Sequence, residues 1–291
     1  MRKIFGLFSA GFLFYCFVLI ATPVTMSSCE KEIIHDTITI TDTVIITDTL
    51  TIIDSSCSAC YDLKDGLIAW YNFNGSTLKD SSGNNNHITF NNAVPTTDRF
   101  GKPNNAYLFN GTSSYMKVNN SASLNPSLIS IMAIVKVNGF YTGPCHANNI
   151  LSKGWPDYAT GFYTMRITNK DNPCNSPTDV TKEYFNAGFG DNNPQGSASG
   201  TLADSVIVNT GKWYNVIYTY DGTVSKLYIN GILKDERTKT ASTSGNSQEL
   251  FIGKHGDPPI PYWFNGVMDE IRIYNRPLCD AEVRLLNKLN N

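Results

Sequence analysis

Residues Gly211–Leu233 read GKWYNVIYTYDGTVSKLYINGIL. Trp213–Tyr220 is a run of aromatic and β-branched residues that stops at Asp221-Gly222. A second run, Lys226–Ile229, stops at Asn230-Gly231 and is followed at once by Ile232-Leu233. Asn-Gly and Asp-Gly accept the positive φ angles of tight hairpin turns, so the segment predicts three antiparallel strands joined by two turns. The same alternation of short apolar runs with Asn, Gly, Ser and Asp clusters begins at Gly66. It predicts strands at Leu67–Phe73, Ala106–Phe109, Tyr115–Val118, Ser130–Val137, Gly161–Ile167, Leu250–Ile252 and Gly266–Tyr274. Only Asp280–Leu289, after Pro277, spaces Ala281, Val283, Leu285, Leu286 and Leu289 near a helical period. The expected fold class is all-β, a two-sheet antiparallel sandwich with a short C-terminal helix. Trp70, Phe73, Trp213, Tyr218, Tyr220 and Tyr228 lie in strand patterns and read as core or sheet-face packing.

Composition limits what such a domain does. The chain has 291 residues, with 23 Lys+Arg against 25 Asp+Glu, so it offers no basic footprint for nucleic acid. Charged residues are 16% while Asn, Thr and Ser are abundant, a polar but weakly ionic surface of the extracellular kind.

The N-terminus reads as an export signal. Arg2 and Lys3 precede an apolar stretch from Ile4 to Val24, and Met26-Ser27-Ser28-Cys29 follows. That tetrapeptide resembles the lipobox of bacterial lipoproteins, which implies cleavage after residue 28 and lipid on Cys29. An uncleaved anchor and ordinary secretion are the alternatives. Glu30-Lys31-Glu32 resembles the surface-export signal of Bacteroidetes-type lipoproteins, which implies an outer-membrane lipoprotein exposed at the cell surface. A merely soluble start to a linker is the other reading. Loss of residues 1–28 removes Arg2 and Lys3 and no acid, leaving 21 basic against 25 acidic residues.

Residues 36–54 read DTITITDTVIITDTLTIID, with Asp36, Asp42, Asp48 and Asp54 every six residues. Six is a multiple of the strand period, and the β-branched residues disfavour helix. Residues 29–60 are therefore expected to be an extended tether, its repeat of some twenty residues spanning about 60 Å at about 3.3 Å per residue. Its unpaired edges allow self-association with copies of the same strip, which the periodic Asp residues would restrain.

Four segments resemble the laminin-G-like, concanavalin-A-like jelly-roll family: GLIAWYNFNGSTLKDSSGNNNHI (Gly66–Ile88), AYLFNGTSSYMKV (Ala106–Val118), Gly211–Leu233, and FNGVMDEIRIYNRPLCDAEVRLL (Phe264–Leu286). The resemblance implies two sheets packed face to face over residues 61–291, with the first and last strands adjacent. The stretch from Tyr141 to Ser205 is less family-like and is expected to hold elaborated loops.

Cys145 and Cys174 fall in that stretch and are expected to pair, since export favours disulfides. At Cys279 the family usually has a Ser that caps the last helix, with Glu three residues on; here Glu282 is present and Cys replaces Ser. With first and last strands adjacent, the resemblance implies a Cys60–Cys279 disulfide, with Cys57 as the rival partner. A redox or zinc role for Cys57 and Cys60 lacks a second CxxC.

Glycoside hydrolases of this superfamily need two carboxylates flanking the scissile bond. None of the seven glutamates begins a Glu-x-Asp-x-x-Glu run, and Asp269 and Glu270, being adjacent on a strand, are expected to face opposite ways. The four histidines have no zinc-like spacing, and the chain is not expected to be an enzyme. The resemblance implies a structural Ca²⁺ held by Asp269, Asn74 and the carbonyl of Gly111, the alternative being that Asp269 pairs with Arg272 or caps a turn. Trp155, Tyr158, Tyr163, Tyr262 and Trp263 supply rings for stacking on sugars, and Asp191, Asn192 and Asn193 supply groups for hydroxyls; the alternative is that the rings anchor loops. The expected function is a non-catalytic, lipid-anchored module that binds a polysaccharide or other glycan for capture or adhesion. The alternatives are a structural or protein-binding surface domain without a sugar site and, third, a glycoside hydrolase.

Overall fold

The computed structural model describes residues 34–40, 43–50, 62–143, 147–154, 162–169, 183–190, 201–238, 245–256 and 260–289. The chain divides into two units, 1–61 and 62–291. In the first, β1 (Ile34–Ile40) and β2 (Thr43–Leu50) pair antiparallel, with a register shift between His35 and Thr37. This pairing satisfies one edge of backbone groups within the chain.

The second unit contains two antiparallel sheets. Its strands are β3 (Leu67–Tyr71), β4 (Ile88–Asn91), β5 (Val94–Thr96), β6 (Ala106–Asn110), β7 (Met116–Val118), β8 (Ile129–Gly139), β9 (Asn148–Lys153), β10 (Tyr163–Asn169), β11 (Glu183–Phe189), β12 (Thr201–Ile207), β13 (Trp213–Tyr220), β14 (Val224–Ile229), β15 (Ile232–Thr238), β16 (Leu250–Ile252) and β17 (Asn265–Tyr274), followed by helix α1 (Asp280–Leu289). One sheet runs β12-β11-β10-β9-β16-β7-β4. The other runs β15-β14-β13-β8-β17-β6-β5, with β3 also on β17. The fold is a jelly-roll sandwich. Its first and last strands are neighbours, with Tyr71 opposite Ile271 and Leu67 opposite Tyr274.

Trp213–Tyr220 and Asp280–Leu289 fall where the sequence put them. Asn230 and Gly231 have φ of 53° and 75°, as a tight hairpin requires, and Asp221 Oδ1 accepts from the backbone of Thr223 and Val224 to close the other turn. Within the stretch from Tyr141 to Ser205, β10 matches the strand expected at Gly161–Ile167, but the rest departs from expectation. It also carries β9, β11 and most of β12, so the stretch forms the greater part of one sheet. Asn148-Asn149 and Asn186-Ala187-Gly188 look like turn residues, but here they are strand residues whose neighbours supply the packing.

The inner faces share one core. Phe73 meets Tyr107, Phe185 meets Tyr214, and Phe109 meets Phe264, all edge to face, with ring centroids 5.1, 5.1 and 6.0 Å apart. Tyr218 and Tyr220 join this core, as read from the sequence. Gly253 sits at φ +85°, and a Cβ there would lie 2.3 Å from the Phe109 ring. Helix α1 covers the outer face of the eight-stranded sheet, setting Leu278, Val283 and Leu286 on Met132, Ile134, Ile217 and Tyr228, with Trp70 and Trp213 packed at the margin. Its start keeps half of the expected capping box: Glu282 Oε2 accepts from the Cys279 N–H at 3.0 Å, while Arg276 clamps the same carboxylate at 2.6 and 2.8 Å. Cys57, Cys60, Cys145 and Cys174 lie outside the described residues, so both pairings drawn from the sequence stand as proposals.

Glu183 points inward with Phe185, Ala187 and Phe189; it is fully buried, and neither carboxylate oxygen has a hydrogen-bond partner. Burial pushes its carboxyl up to about 8. Below about pH 4 the group is protonated both folded and unfolded; above that the unfolded chain releases the proton first. Stability should therefore decline as pH rises and level off above about 8. Glu183→Gln removes this slope, so melting curves should show a Tm gain over wild type that is larger at pH 8 than at pH 5. A gain independent of pH would show that Glu183 is not the titrating group.

Candidate functional site

The outer face of the seven-stranded sheet carries the polar chemistry. Along β10, Tyr163, Met165 and Ile167 enter the core, so Thr164, Arg166 and Thr168 face outward. On β11, by the same alternation, Tyr184 and Asn186 face outward. Simple alternation on β9 would send Ile150 outward and Asn149 into the core. A register shift between Met165 and Arg166 prevents this: Leu151 pairs with Met165 and Asn149 with Arg166, leaving Ile150 as the extra residue. Ile150 is buried in the core and Asn149 joins Arg166 on the outer face.

Arg166 Nε donates to Asn186 Oδ1 at 3.1 Å. Burial holds its guanidinium below the usual value, partly offset by the nearby Tyr262 hydroxyl. Asn149 is completely buried, and its side-chain nitrogen and oxygen have no hydrogen-bond partner. Its backbone N–H donates to the Tyr262 carbonyl at 2.8 Å, which holds Tyr262 at φ 44°, a strained value for so bulky a residue. His255 packs on the Tyr262 ring at 5.3 Å. Burial, then the charges of Arg166 and Lys254, push its imidazole down to about 4, so it is neutral at pH 7.

Beside this floor lies an aromatic ledge built on β4, β7 and β16. Phe90 stacks on Tyr115 at 4.6 Å, and Tyr115 also meets Phe251 and Trp263 at 6.2 and 6.1 Å. The Lys254 ammonium sits over Tyr115, Phe251 and Trp263 at 4.6, 4.8 and 5.6 Å. Phe90 remains 39% exposed, so rings of this ledge are open to a ligand.

The expected site residues separate into three groups. Trp263 belongs to the ledge. Tyr262 is not a stacking platform: its ring is buried against Tyr141 and His255, and its backbone carries the contact to Asn149. Tyr163 is a core ring. Trp155, Tyr158, Asp191, Asn192 and Asn193 lie outside the described residues. Phe90, Tyr115, Asn149, Arg166, Asn186, Phe251, Lys254 and His255 were not picked out from the sequence. Arg166 had one signal, a cation at an outward position of an otherwise apolar and Thr-rich strand.

The donors expected to hold calcium do not gather. Asp269 is the extra residue of a bulge between Met268 and Glu270, which turns both carboxylates to one side. Arg99 meets both, with Nη1 2.5 Å from Asp269 and Nη2 3.7 Å from Glu270. Asp269 and Glu270 therefore do not face opposite ways as the sequence suggested, and the chain supplies its own cation to Asp269. Arg272 holds Glu270 at 2.6 Å rather than Asp269. Gly111 follows Asn110, which pairs with Asn265, so it lies on the order of 13 Å from Asp269 along β17. Asn74 sits exposed in a short 3₁₀ turn, Asn74–Ser76, after β3. As placed, these residues do not fit a calcium shell, and among the described residues no three His, Cys, Asp or Glu side chains cluster as metal ligands.

The whole globular unit resembles solved structures. Domain 4 of AbnA, a GH43 extracellular arabinanase from Geobacillus stearothermophilus, solved in complex with arabinotriose, is 21% identical, with a TM-score of 0.54 over 76% of this chain and 98% of that one. The binding domain of Paraclostridial Mosquitocidal Protein 1 is 17% identical, with a TM-score of 0.57 over 78% of this chain and 52% of that one. The binding domain of botulinum neurotoxin DC in complex with SialylT is 14% identical, with a TM-score of 0.56 over 79% and 53%. The chain thus spans about half the length of the toxin domains it matches. At these identities the likeness is one of fold. No curated protein matches the chain in sequence. Residues 110–284 match the laminin-G-type family model of the concanavalin A-like lectin/glucanases, and the chain belongs to that superfamily.

Proposed function

We propose that this protein is a non-catalytic glycan-binding module, held at the outer membrane by lipid on Cys29 and displayed outward. The observation that carries the reading is the outer face of the seven-stranded sheet, where an open aromatic ledge lies beside a polar floor. Rings take the apolar face of a sugar, while amides and a guanidinium take its hydroxyls. The fold shared with an arabinanase domain solved with arabinotriose and a toxin binding domain solved with SialylT supports it. Catalysis is not part of the proposal, because the adjacent carboxylates Asp269 and Glu270 are on the other sheet and bound by Arg99 and Arg272.

Titration of the purified protein against a panel of oligosaccharides should find a ligand, and Trp263→Ala should weaken it about threefold to tenfold. A folded protein that binds no glycan would leave the structural or protein-binding alternative. The buried Asn149 amide gives a second check. Asn149→Leu removes an unpaired polar group, whose burial costs about 1–3 kcal/mol, so it should raise Tm while weakening binding. A lower Tm together with unchanged binding would show that Asn149 serves the fold alone. For the anchor, Cys29→Ser should abolish metabolic labelling with a radioactive fatty acid; normal labelling of the variant would sink the lipid assignment.

A further inference from the structure

The polar floor has a charge that no described residue balances. Among the described residues, Arg166 makes one hydrogen bond, Nε to Asn186 Oδ1, and has no carboxylate within ion-pair distance. No acceptor among the described residues meets its two terminal nitrogens. The groups around it do not supply an anion. Asn149 is a neutral amide, directly across from it on β9, and Tyr262 and His255 pack on the same side. Lys254, next to His255, adds a second cation at the border of the ledge. Glu249, the carboxylate that acts on Lys254, is already bound to Lys117 at 2.8 Å.

A guanidinium half-withdrawn from water and left without a counter-charge is unfavourable, and other half-buried arginines of this protein are partnered: Arg99 with Asp269, Arg272 with Glu270, Arg276 with Glu282. The free fork of Arg166 presents two parallel N–H groups, the geometry that matches a carboxylate with two hydrogen bonds. The Asn149 side chain, buried and unpaired, stands beside that fork with an N–H to donate and a carbonyl to accept a hydroxyl. The ledge of Tyr115, Phe251 and Trp263 continues on the same sheet face, through Phe251 opposite Ser152 and Ser152 opposite Thr164. We infer that the ligand is an acidic glycan, whose anionic group is received by Arg166 and Asn149 while a neighbouring sugar lies along the aromatic ledge. This rests on the glycan-binding reading above and specifies its ligand class. A carboxylated and a sulfated sugar share the chemistry.

The test is an array that presents each of several oligosaccharides as the free uronic acid, as its neutral methyl ester, and as a sulfated form, probed with the purified protein. The free acid should bind at least about tenfold tighter than its ester, the range of one charge-assisted hydrogen bond to an ionised group. The advantage should shrink as salt is raised. Arg166→Gln should erase the difference. Asn149→Asp is the second variant: it places a carboxylate beside Arg166, should fold at least as well as wild type by thermal melting, and should also erase the preference. Tighter binding of the sulfated form than of the acid would support the anion site and identify sulfate as its source. Equal binding of acid, ester and sulfated forms, or an unchanged acid-to-ester ratio in a folded Asn149→Asp protein, would overturn the inference and leave glycan binding standing. Binding of no glycan in any form would overturn both.

Discussion

The last strand lies in the middle of its sheet, and the rest of the domain is arranged around that fact. β17 pairs with β8 along its whole length, from Asn265 opposite Gly139 to Tyr274 opposite Ser130. Its other edge is shared, β6 taking Asn265–Met268 and β3 taking Ile271–Tyr274. The sandwich therefore has no complete core until residues some two hundred positions apart have met, as the Trp70 to Glu270 hydrogen bond illustrates. Such non-local pairing makes loop closure costly and folding slow relative to helical domains. It also fixes the C-terminal helix. Once Tyr274 is placed, Arg276 and Pro277 turn the chain back, Ser130 Oγ bonds both Arg276 O and the Leu278 N–H, and α1 lies across the sheet it has just left.

Two bulges decide what each sheet shows to its outside. At Ile150 the extra residue is pulled into the core, which puts an amide opposite a guanidinium on the face that has an aromatic ledge. At Asp269 the extra residue stays with its neighbour, and two carboxylates meet one arginine in a closed, self-neutralised network. The same device thus gives opposite results. On the eight-stranded sheet the charges are balanced internally, and Trp70 and Arg272 cover them, with the guanidinium 4.5 Å from the ring. On the seven-stranded sheet the cation is left without a partner among the described residues. That contrast is why the binding proposal rests on one sheet and not on the other.

A similar economy of contacts appears at the start of α1. Cys at position 279 cannot accept the usual hydrogen bond of an N-cap hydroxyl. Glu282 compensates by taking the Cys279 N–H, and Arg276 fixes Glu282 with two further bonds. The carboxylate is almost completely buried, so those three contacts together stand in for the water it has lost.

Much of the fold was legible in the sequence, because strand alternation, hairpin turns and one helical period are local signals. Trp213–Tyr220, Asn230-Gly231 and Asp280–Leu289 each carry their own instructions. The stretch from Tyr141 to Ser205 was expected to hold loops because it does not resemble the family; β9 and β11 are rich in Asn and Gly and become strands through the strands they pair with, β9 through β16 some hundred residues on. The site was legible in kind but not in place. Trp263 could be named from a loop pattern, whereas Tyr262 beside it turned out to be packing, since burial depends on Tyr141 and His255 across the fold. Arg166, Asn149 and Lys254 carried no motif, because their chemistry comes from what they lack and what they stand beside. The sequence by itself determined the sandwich, its hairpins and its terminal helix, all set by periodicities within a few residues. Only the tertiary structure decided which residue each bulge would set aside, because a one-residue shift of register is invisible to composition and reverses the face of every side chain beyond it.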